Sequence, residues 1–248
     1  MSIETRTVTG SEHDTPRDPA RTAELRRLAE EAAARFADAP AEEVLRWAGE
    51  TFGSGFCVTS SFEDAVTAHL AARAVPGVDV VFLDTGYHFE ETIGTRDAVA
   101  ELYDVNVVNV LPRLTVAEQD AEHGPKLHDR APDRCCALRK VEPLEGTLAG
   151  YEAWATGLHR YDSPLRADTP VVEWDAKRDM VKVNPVVAWT PEQVHAYIEE
   201  HGVLVNPLLD DGYPSIGCAP CTRRVAPGED IRAGRWSGTG KTECGLHV

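Results

Sequence analysis

Residues 78–86 read Val78-Asp79-Val80-Val81-Phe82-Leu83-Asp84-Thr85-Gly86. The first six are apolar apart from Asp79 and rich in β-branched residues, and the run stops at Asp-Thr-Gly. That pattern reads as a strand buried on both faces, with a turn at its carboxyl end. Working outward, residues 56–59 form a second short apolar run, and the stretch from Ser60 through residue 74 reads as a helix. Residues 88–103 read as another helix and 105–111 as another strand. Strands that alternate with helices make βαβ units and a parallel sheet, whose ligands sit at the carboxyl ends of the strands. Ser60, Ser61 and Asp84 fall there. Residues 22–37 and 41–50 are Ala-, Leu-, Glu- and Arg-rich and read as helices. A strand is expected near 151–155, a polar loop over 157–170, and a helix start at Thr190-Pro191-Glu192 with proline in the first turn. After Asp210 the chain turns loop-like and ends in a Gly-rich polar tail. The expected architecture is a single-domain, doubly wound α/β fold with a mostly parallel sheet. Its expected divisions are a disordered leader (1–20), the main domain (21–230) and a mobile C-terminal tail (231–248).

The bulk numbers narrow the function classes. The chain has 248 residues, 42% hydrophobic and 27% charged, and a formal net charge of −16. This is the composition of a globular protein of one ordinary α/β domain. No apolar run reaches the ~18 residues needed to span a bilayer. Nucleic-acid binding rests on many Lys and Arg contacts to phosphate, so this acidic chain makes a poor general binder of it. An anionic small substrate requires a local basic cluster against the overall field. Residues 1–20 carry Glu and Asp and have no apolar core, so they read as neither a secretory signal nor a transit peptide. A cytoplasmic, reducing location is expected, and in it clustered cysteines point to metal or catalysis rather than disulfides.

There are six cysteines. Cys57 sits in the apolar run at 56–58 and reads as a small core residue. Cys135 and Cys136 are adjacent in Arg134-Cys135-Cys136-Ala137-Leu138-Arg139-Lys140, a helical stretch limited by Pro143. Cys218 and Cys221 form Cys218-Ala219-Pro220-Cys221. Four thiolates can hold zinc or a [4Fe–4S] cluster. Neighbouring side chains on a helix diverge by about 100°, a spread that suits separate corners of a cubane better than one small tetrahedral ion. Cys244 stands apart in Lys241-Thr242-Glu243-Cys244-Gly245-Leu246-His247. Its polar, Gly-rich surroundings are hard to bury, and flanking cations lower a thiol pKa. It reads as a nucleophile on a tail able to meet two partners in turn.

Two anion-binding candidates stand out. Ser60-Ser61-Phe62-Glu63-Asp64 lies between a strand and a helix, where hydroxyls and free N–H groups bind phosphate, although the same residues also make an ordinary helix cap. No Gly-x-x-x-x-Gly-Lys-Ser/Thr loop is present, which disfavours P-loop chemistry. Arg232 and Arg235 are three apart and could fork around a phosphosulfate, or simply pair with Glu229 and Asp230. One charge at ~4 Å in an effective dielectric near 20 contributes roughly 4 kcal/mol before desolvation, so a few such groups overcome the net charge locally.

Taken together, the Cys135-Cys136 pair with Arg139-Lys140, the Cys218-x-x-Cys221 pair and the terminal Lys241–His247 stretch resemble the assimilatory, thioredoxin-dependent adenylyl-sulfate (APS) reductases, within the wider phosphoadenylyl-sulfate (PAPS) reductase family. The likeness runs over about residues 50–248. It implies an adenine nucleotide α-hydrolase-like fold and a [4Fe–4S] cluster on Cys135, Cys136, Cys218 and Cys221. It implies that Cys244 attacks the sulfur of adenylyl sulfate, releasing AMP, and that thioredoxin then frees sulfite for cysteine biosynthesis. Lys140, Arg232, Arg235 and His247 match the family's phosphosulfate positions, and Ser60, Ser61, Leu83, Gly157 and Arg166 match its adenylate positions. The readings left open are a cluster-bearing PAPS reductase, a zinc-ribbon binding protein, and an ATP-consuming tRNA-thiolation enzyme, whose Ser-Gly-Gly-x-Asp-Ser loop this chain lacks. A homo-oligomer is also left open.

Overall fold

In the computed structural model, which describes residues 6–9, 17–238, 241 and 245–246, seven strands form one sheet. They are β1 (Arg6–Thr9), β2 (Phe56–Thr59), β3 (Val78–Leu83), β4 (Val105–Leu111), β5 (Ala153–Ala155), β6 (Val172–Asp175) and β7 (Met180–Val183). The helices are α1 (Pro19–Arg35), α2 (Ala41–Phe52), α3 (Val66–Ala74), α4 (Glu90–Leu102), α5 (Val116–His123), α6 (Leu127–Arg130), α7 (Pro132–Cys136), α8 (Glu142–Leu148) and α9 (Pro191–His201). The strand order is β1-β4-β3-β2-β5-β7-β6, parallel throughout except for the antiparallel β6–β7 pair.

Alternate residues of each central strand supply two cores, as a strand's period of two requires. Phe56, Val58, Val80, Phe82, Ala153 and Ala155 pack with α1, α2 and α3 on one face. Cys57, Val81, Val108 and Trp154 pack with Leu144 and Leu148 of α8 on the other. Cys57 is fully buried there, as a core residue. Burial on both faces explains why residues 78–83 show no clean alternation in sequence. From β2 the chain steps through β3 to β4 in one direction and later through β5 to β7 in the other. The strand order therefore switches between β2 and β5, and a crevice opens beyond Thr59 and Ala155.

Four features depart from the sequence expectations. Within the supposed disordered leader, Arg6–Thr9 adds as a parallel strand along β4, from Arg6 opposite Val108 to Thr9 opposite Leu111. This strand covers polar backbone that β4 would otherwise expose as an edge. Helix α1 begins at Pro19, where the Asp18 carboxylate accepts from the Ala20 N–H at 3.0 Å. The helix expected from Ser60 starts only at Val66, because Phe62 takes φ 53° to bury its ring against Phe82, with centroids 5.4 Å apart. Finally, α7 runs into a π-helical turn over Ala137–Val141, in which the Glu142 N–H reaches the Ala137 carbonyl. Pro143 has no N–H to give a carbonyl four residues back, and a widened turn absorbs that loss.

Candidate functional site

A cavity of about 280 Å³ occupies the crevice at the switch point. Three strands contribute at their carboxyl ends: Thr59 of β2 with Ser60 and Ser61 after it, Leu83 of β3, and Thr156 and Gly157 just after β5. The Ser60 hydroxyl accepts from the Phe62 N–H at 3.1 Å, closing the turn that the left-handed Phe62 permits. Leu83 is held from behind by His88, whose Nε2 lies 2.8 Å from the Leu83 carbonyl; burial lowers the His88 pKa to about 4, so a neutral ring donates there. At Gly157, a side chain would bring Cβ to 3.0 Å from the Thr67 hydroxyl. Arg166 donates to the Asp162 carboxylate at 2.7 Å in the same wall.

The lining also includes a cationic group, Lys140, Arg232 and Arg235, with Trp236 beside Arg235. Arg235 lies over the Trp236 ring, 4.6 Å from its centroid, and donates to the Ser215 hydroxyl at 3.1 Å and the Ile216 carbonyl at 3.2 Å. Asp230 accepts from the backbone N–H of Arg232, and Glu229 is paired with Arg223. A Cβ on Gly217 would overlap the Arg235 guanidinium. Gly217→Ala is therefore expected to swing Arg235 out of the wall and lower kcat/KM by about 10–100-fold, mostly through KM. Steady-state kinetics beside an unchanged circular-dichroism spectrum check this, and an unaltered KM contradicts it.

A second, smaller cavity adjoins the first and is lined by Cys135, Cys136, Cys218 and Cys221. Lys140, Arg235 and Trp236 line both cavities and so form a shared wall. Cys135 and Cys136 are buried on α7, while Cys218 and Cys221 bracket a single 3₁₀ turn. Desolvation, then the crowding of Cys136, Cys218 and Cys221, pushes the Cys135 thiol up to about 12. The same causes push Cys221 up to about 11, against the pull of Lys140 and Arg235. Among the described residues, no three His, Cys, Asp or Glu side chains are placed for a single metal ion. The set is four soft sulfur donors converging from two segments, chemistry that suits an iron–sulfur group with several metal corners.

Residues between the segments lock this arrangement. Thr85 Oγ1 lies 3.3 Å from Cys218 Sγ, and the Ala219 N–H donates to the Tyr87 carbonyl at 2.7 Å. Arg139 is buried under Tyr87 and donates to the carbonyls of Thr85 and Leu114 and to Gln119 Oε1. Arg139 and Lys140 are adjacent in sequence, within the π turn, but they serve different places. Arg139 braces the Thr85 turn, while Lys140 reaches the shared wall.

Eight of the expected substrate residues thus line one cavity: Ser60, Ser61, Leu83, Lys140, Gly157, Arg166, Arg232 and Arg235. Cys244 and His247 lie outside the described residues. The tail's described residues approach the site. Lys241 pairs with Asp133 at the start of α7, Leu246 lines the large cavity, and Arg178 donates to the Leu246 carbonyl at 3.1 Å.

Sequence reasoning missed the acidic side of the cavity. Glu63 and Asp64 read as cap residues, and His159, Tyr161 and Asp162 were submerged in a polar loop. The spacing His159-x-x-Asp162-x-x-x-Arg166 was the available signal. Burial raises the Glu63 pKa to about 7, with neighbouring Asp64 adding to the effect and the Ile216 N–H and Arg235 opposing it. A folded-state pKa above the unfolded one makes folding take up a proton, so this group's contribution to stability falls from about pH 4.5 to about pH 7 and is flat above. Glu63→Gln, neutral throughout, is expected to raise Tm at about pH 8 and change it little at about pH 5. Thermal melts at the two pH values check this, and equal shifts at both contradict it.

The fold and the paired cavities define the class: a doubly wound α/β protein of the adenine nucleotide hydrolase-like type, bearing a thiol-lined chamber beside its switch-point crevice. The phosphoadenosine phosphosulfate reductase domain profile matches residues 56–224, and the chain belongs to that family. It is 70% identical over 226 residues to the adenosine 5'-phosphosulfate reductase of Streptomyces coelicolor, covering 91% of this chain and 96% of that one. It is 59% identical to the enzyme of the same name from Mycolicibacterium smegmatis, covering 91% and 95%. The crystal structure of phosphoadenylyl-sulfate (PAPS) reductase from Candida auris superposes with a TM-score of 0.69 at 30% identity, covering 79% of this chain and 96% of that one.

Proposed function

We propose that this chain reduces adenylyl sulfate to sulfite and AMP, with thioredoxin as reductant, in assimilatory sulfate reduction. The observation that carries the reading is the shared wall: Lys140 and Arg235 face the nucleotide-sized crevice on one side and the four cysteines on the other. The 70% identity to a relative named adenosine 5'-phosphosulfate reductase supports the choice of substrate.

The chemistry follows from the side chains. The adenylate lies across the β2 and β5 ends, between Leu83 and Gly157, with Arg166 beside it. The phosphosulfate lies against Lys140, Arg232 and Arg235, joined by His247. The thiolate of Cys244 attacks the sulfate sulfur, the bond from that sulfur to the bridging phosphate oxygen breaks, and AMP leaves. Cations on the phosphosulfate stabilise the charge that develops on the leaving oxygen. A thioredoxin thiolate then attacks Cys244 Sγ and expels sulfite. The second thioredoxin thiol resolves the mixed disulfide, so the dithiol supplies both electrons.

Cys135, Cys136, Cys218 and Cys221 would hold a [4Fe–4S] cluster, which supplies an anionic anchor joining α7 to the Cys218–Cys221 turn and a field that orients Lys140. The four thiolate ligands require a reducing compartment, which favours the cytoplasm. No helix among the described residues is long and apolar enough to cross a membrane.

The test is sulfite release by purified protein supplied with thioredoxin and either adenylyl sulfate or its 3'-phosphorylated analogue, alongside iron, sulfide and zinc analysis. Turnover of adenylyl sulfate by a brown, iron- and sulfide-containing protein supports the reading. Preference for the analogue, or a colourless zinc protein without turnover, overturns it.

A further inference from the structure

The antiparallel β6–β7 hairpin carries Arg178 in its turn. The Asp175 carboxylate holds this residue twice. Its Oδ1 accepts from the Arg178 N–H at 3.3 Å, and its Oδ2 accepts from the guanidinium at 2.8 Å. Both side chains are only 8% exposed. The guanidinium also lies over the Trp154 ring, 5.2 Å from its centroid, and 3.9 Å from a Glu145 carboxylate oxygen. Its Nη2 donates to the Leu246 carbonyl at 3.1 Å. A cation whose charge Asp175 already balances thus grips the tail by a main-chain oxygen. Serving both acceptors at once takes a planar fork. Arg178 itself lines neither the large cavity nor the thiol chamber.

On the tail side, Gly245 takes φ 82°, a left-handed turn that favours glycine. Leu246 then packs on the core that contains Trp154 and lines the large cavity. Lys241 makes another tie, to Asp133, whose side chain is 88% exposed, and an ion pair so open to solvent holds weakly. The buried grip at Leu246 is therefore the stronger of these two. Cys244 is two residues from Leu246 in sequence, and two residues of chain reach at most about 7 Å. A hold on Leu246 thus bounds the region in which the nucleophile can act.

The functional reading above, on which this inference rests, asks Cys244 to serve two partners in turn: a nucleotide in the cavity and a thioredoxin from solvent. We propose that Arg178 is a positioning residue that latches the C-terminal tail against the cavity for the first step and releases it for the second. A latched tail favours attack on the nucleotide, because the nucleophile has lost its freedom before the reaction begins. It disfavours thioredoxin, whose thiolate needs the sulfonated sulfur in the open. Loosening the latch therefore slows sulfonation without slowing reduction.

The principal variant is Arg178→Lys, which keeps a cation beside Asp175 and gives up the second branch of the fork. Leu246→Ala loosens the same tail from its other side, leaves the hairpin intact, and carries the test should Arg178→Lys fail to fold. In single turnovers without reductant, AMP release is expected to slow about tenfold in each. Enzyme sulfonated beforehand with excess adenylyl sulfate, then mixed with thioredoxin, should release sulfite at least as fast as the unmodified protein. The Kd for AMP should stay within about twofold in Arg178→Lys, since Arg178 lines neither cavity. Deuterium exchange of the tail peptide in the substrate-free protein should be several-fold faster in both variants. Sulfonation within about twofold of the unmodified rate in a folded variant overturns the proposal. So does a parallel fall in both half-reactions and in AMP affinity, which marks Arg178 as a support of the fold alone. If the unmodified protein makes no sulfite from adenylyl sulfate, the functional reading fails and takes this inference with it. An unmoved sulfonation rate in an active enzyme defeats this inference alone.

Discussion

Cys244→Ser is expected to abolish sulfite formation while adenylyl sulfate still binds. A serine hydroxyl keeps the shape of the side chain but is scarcely ionised near neutral pH, and it cannot replace a thiolate as nucleophile. Removing the one covalent nucleophile of a reaction typically costs on the order of 10⁴-fold or more in kcat. The proposed nucleotide contacts, at the β2, β3 and β5 ends and at Lys140, Arg232 and Arg235, line a cavity that the substitution leaves in place. The split between lost turnover and retained binding is therefore the signature. Turnover is read from radiolabelled sulfite and binding from calorimetry. Normal turnover in the serine variant contradicts the proposed chemistry, whatever its affinity.

The second large effect is expected at Cys218. Cys218→Ser should leave the protein colourless and lower activity by roughly 10³-fold or more, because a ligand and an architectural tie are lost together. Cys218 faces Thr85 Oγ1 at 3.3 Å and opens the turn that ends at Cys221. The residues just before it, Ser215 and Ile216, receive the Arg235 guanidinium. Loosening this turn therefore disturbs the phosphosulfate wall as well as the thiol chamber. Iron and sulfide analysis with the visible spectrum reads the first effect, and kcat/KM reads the second. Full activity in a cluster-free Cys218→Ser protein contradicts any role for the group near the substrate.

The parallel core was readable in the sequence because strands buried on both faces leave unbroken apolar runs, as at Val78–Leu83 and Val105–Leu111. The thiol set was readable because cysteine is scarce and its chemistry narrow. Other features depend on partners distant in sequence. Arg6–Thr9 is a strand only because β4 offers it an edge. The β6–β7 pair is short and interrupted by the polar turn after Asp175, so its alternation barely registers. The helix expected from Ser60 was displaced by Phe62, whose burial against Phe82 is a tertiary demand that overrides local propensity. The acidic half of the cavity was hidden for a related reason. Asp64 accepts from the nearby Val66 N–H and so reads as a cap, whereas Glu63 accepts from the Ile216 N–H, a partner far away in the sequence.

The most direct test mixes the protein with adenylyl sulfate in the absence of any thiol reductant, quenches it, and maps the peptides by mass. The account predicts one equivalent of AMP released and the mass of one SO₃ group on the peptide carrying Cys244, lost again when thioredoxin is added. An adduct on any of the other five cysteines, or sulfite appearing with no protein-bound sulfonate at any time, contradicts it.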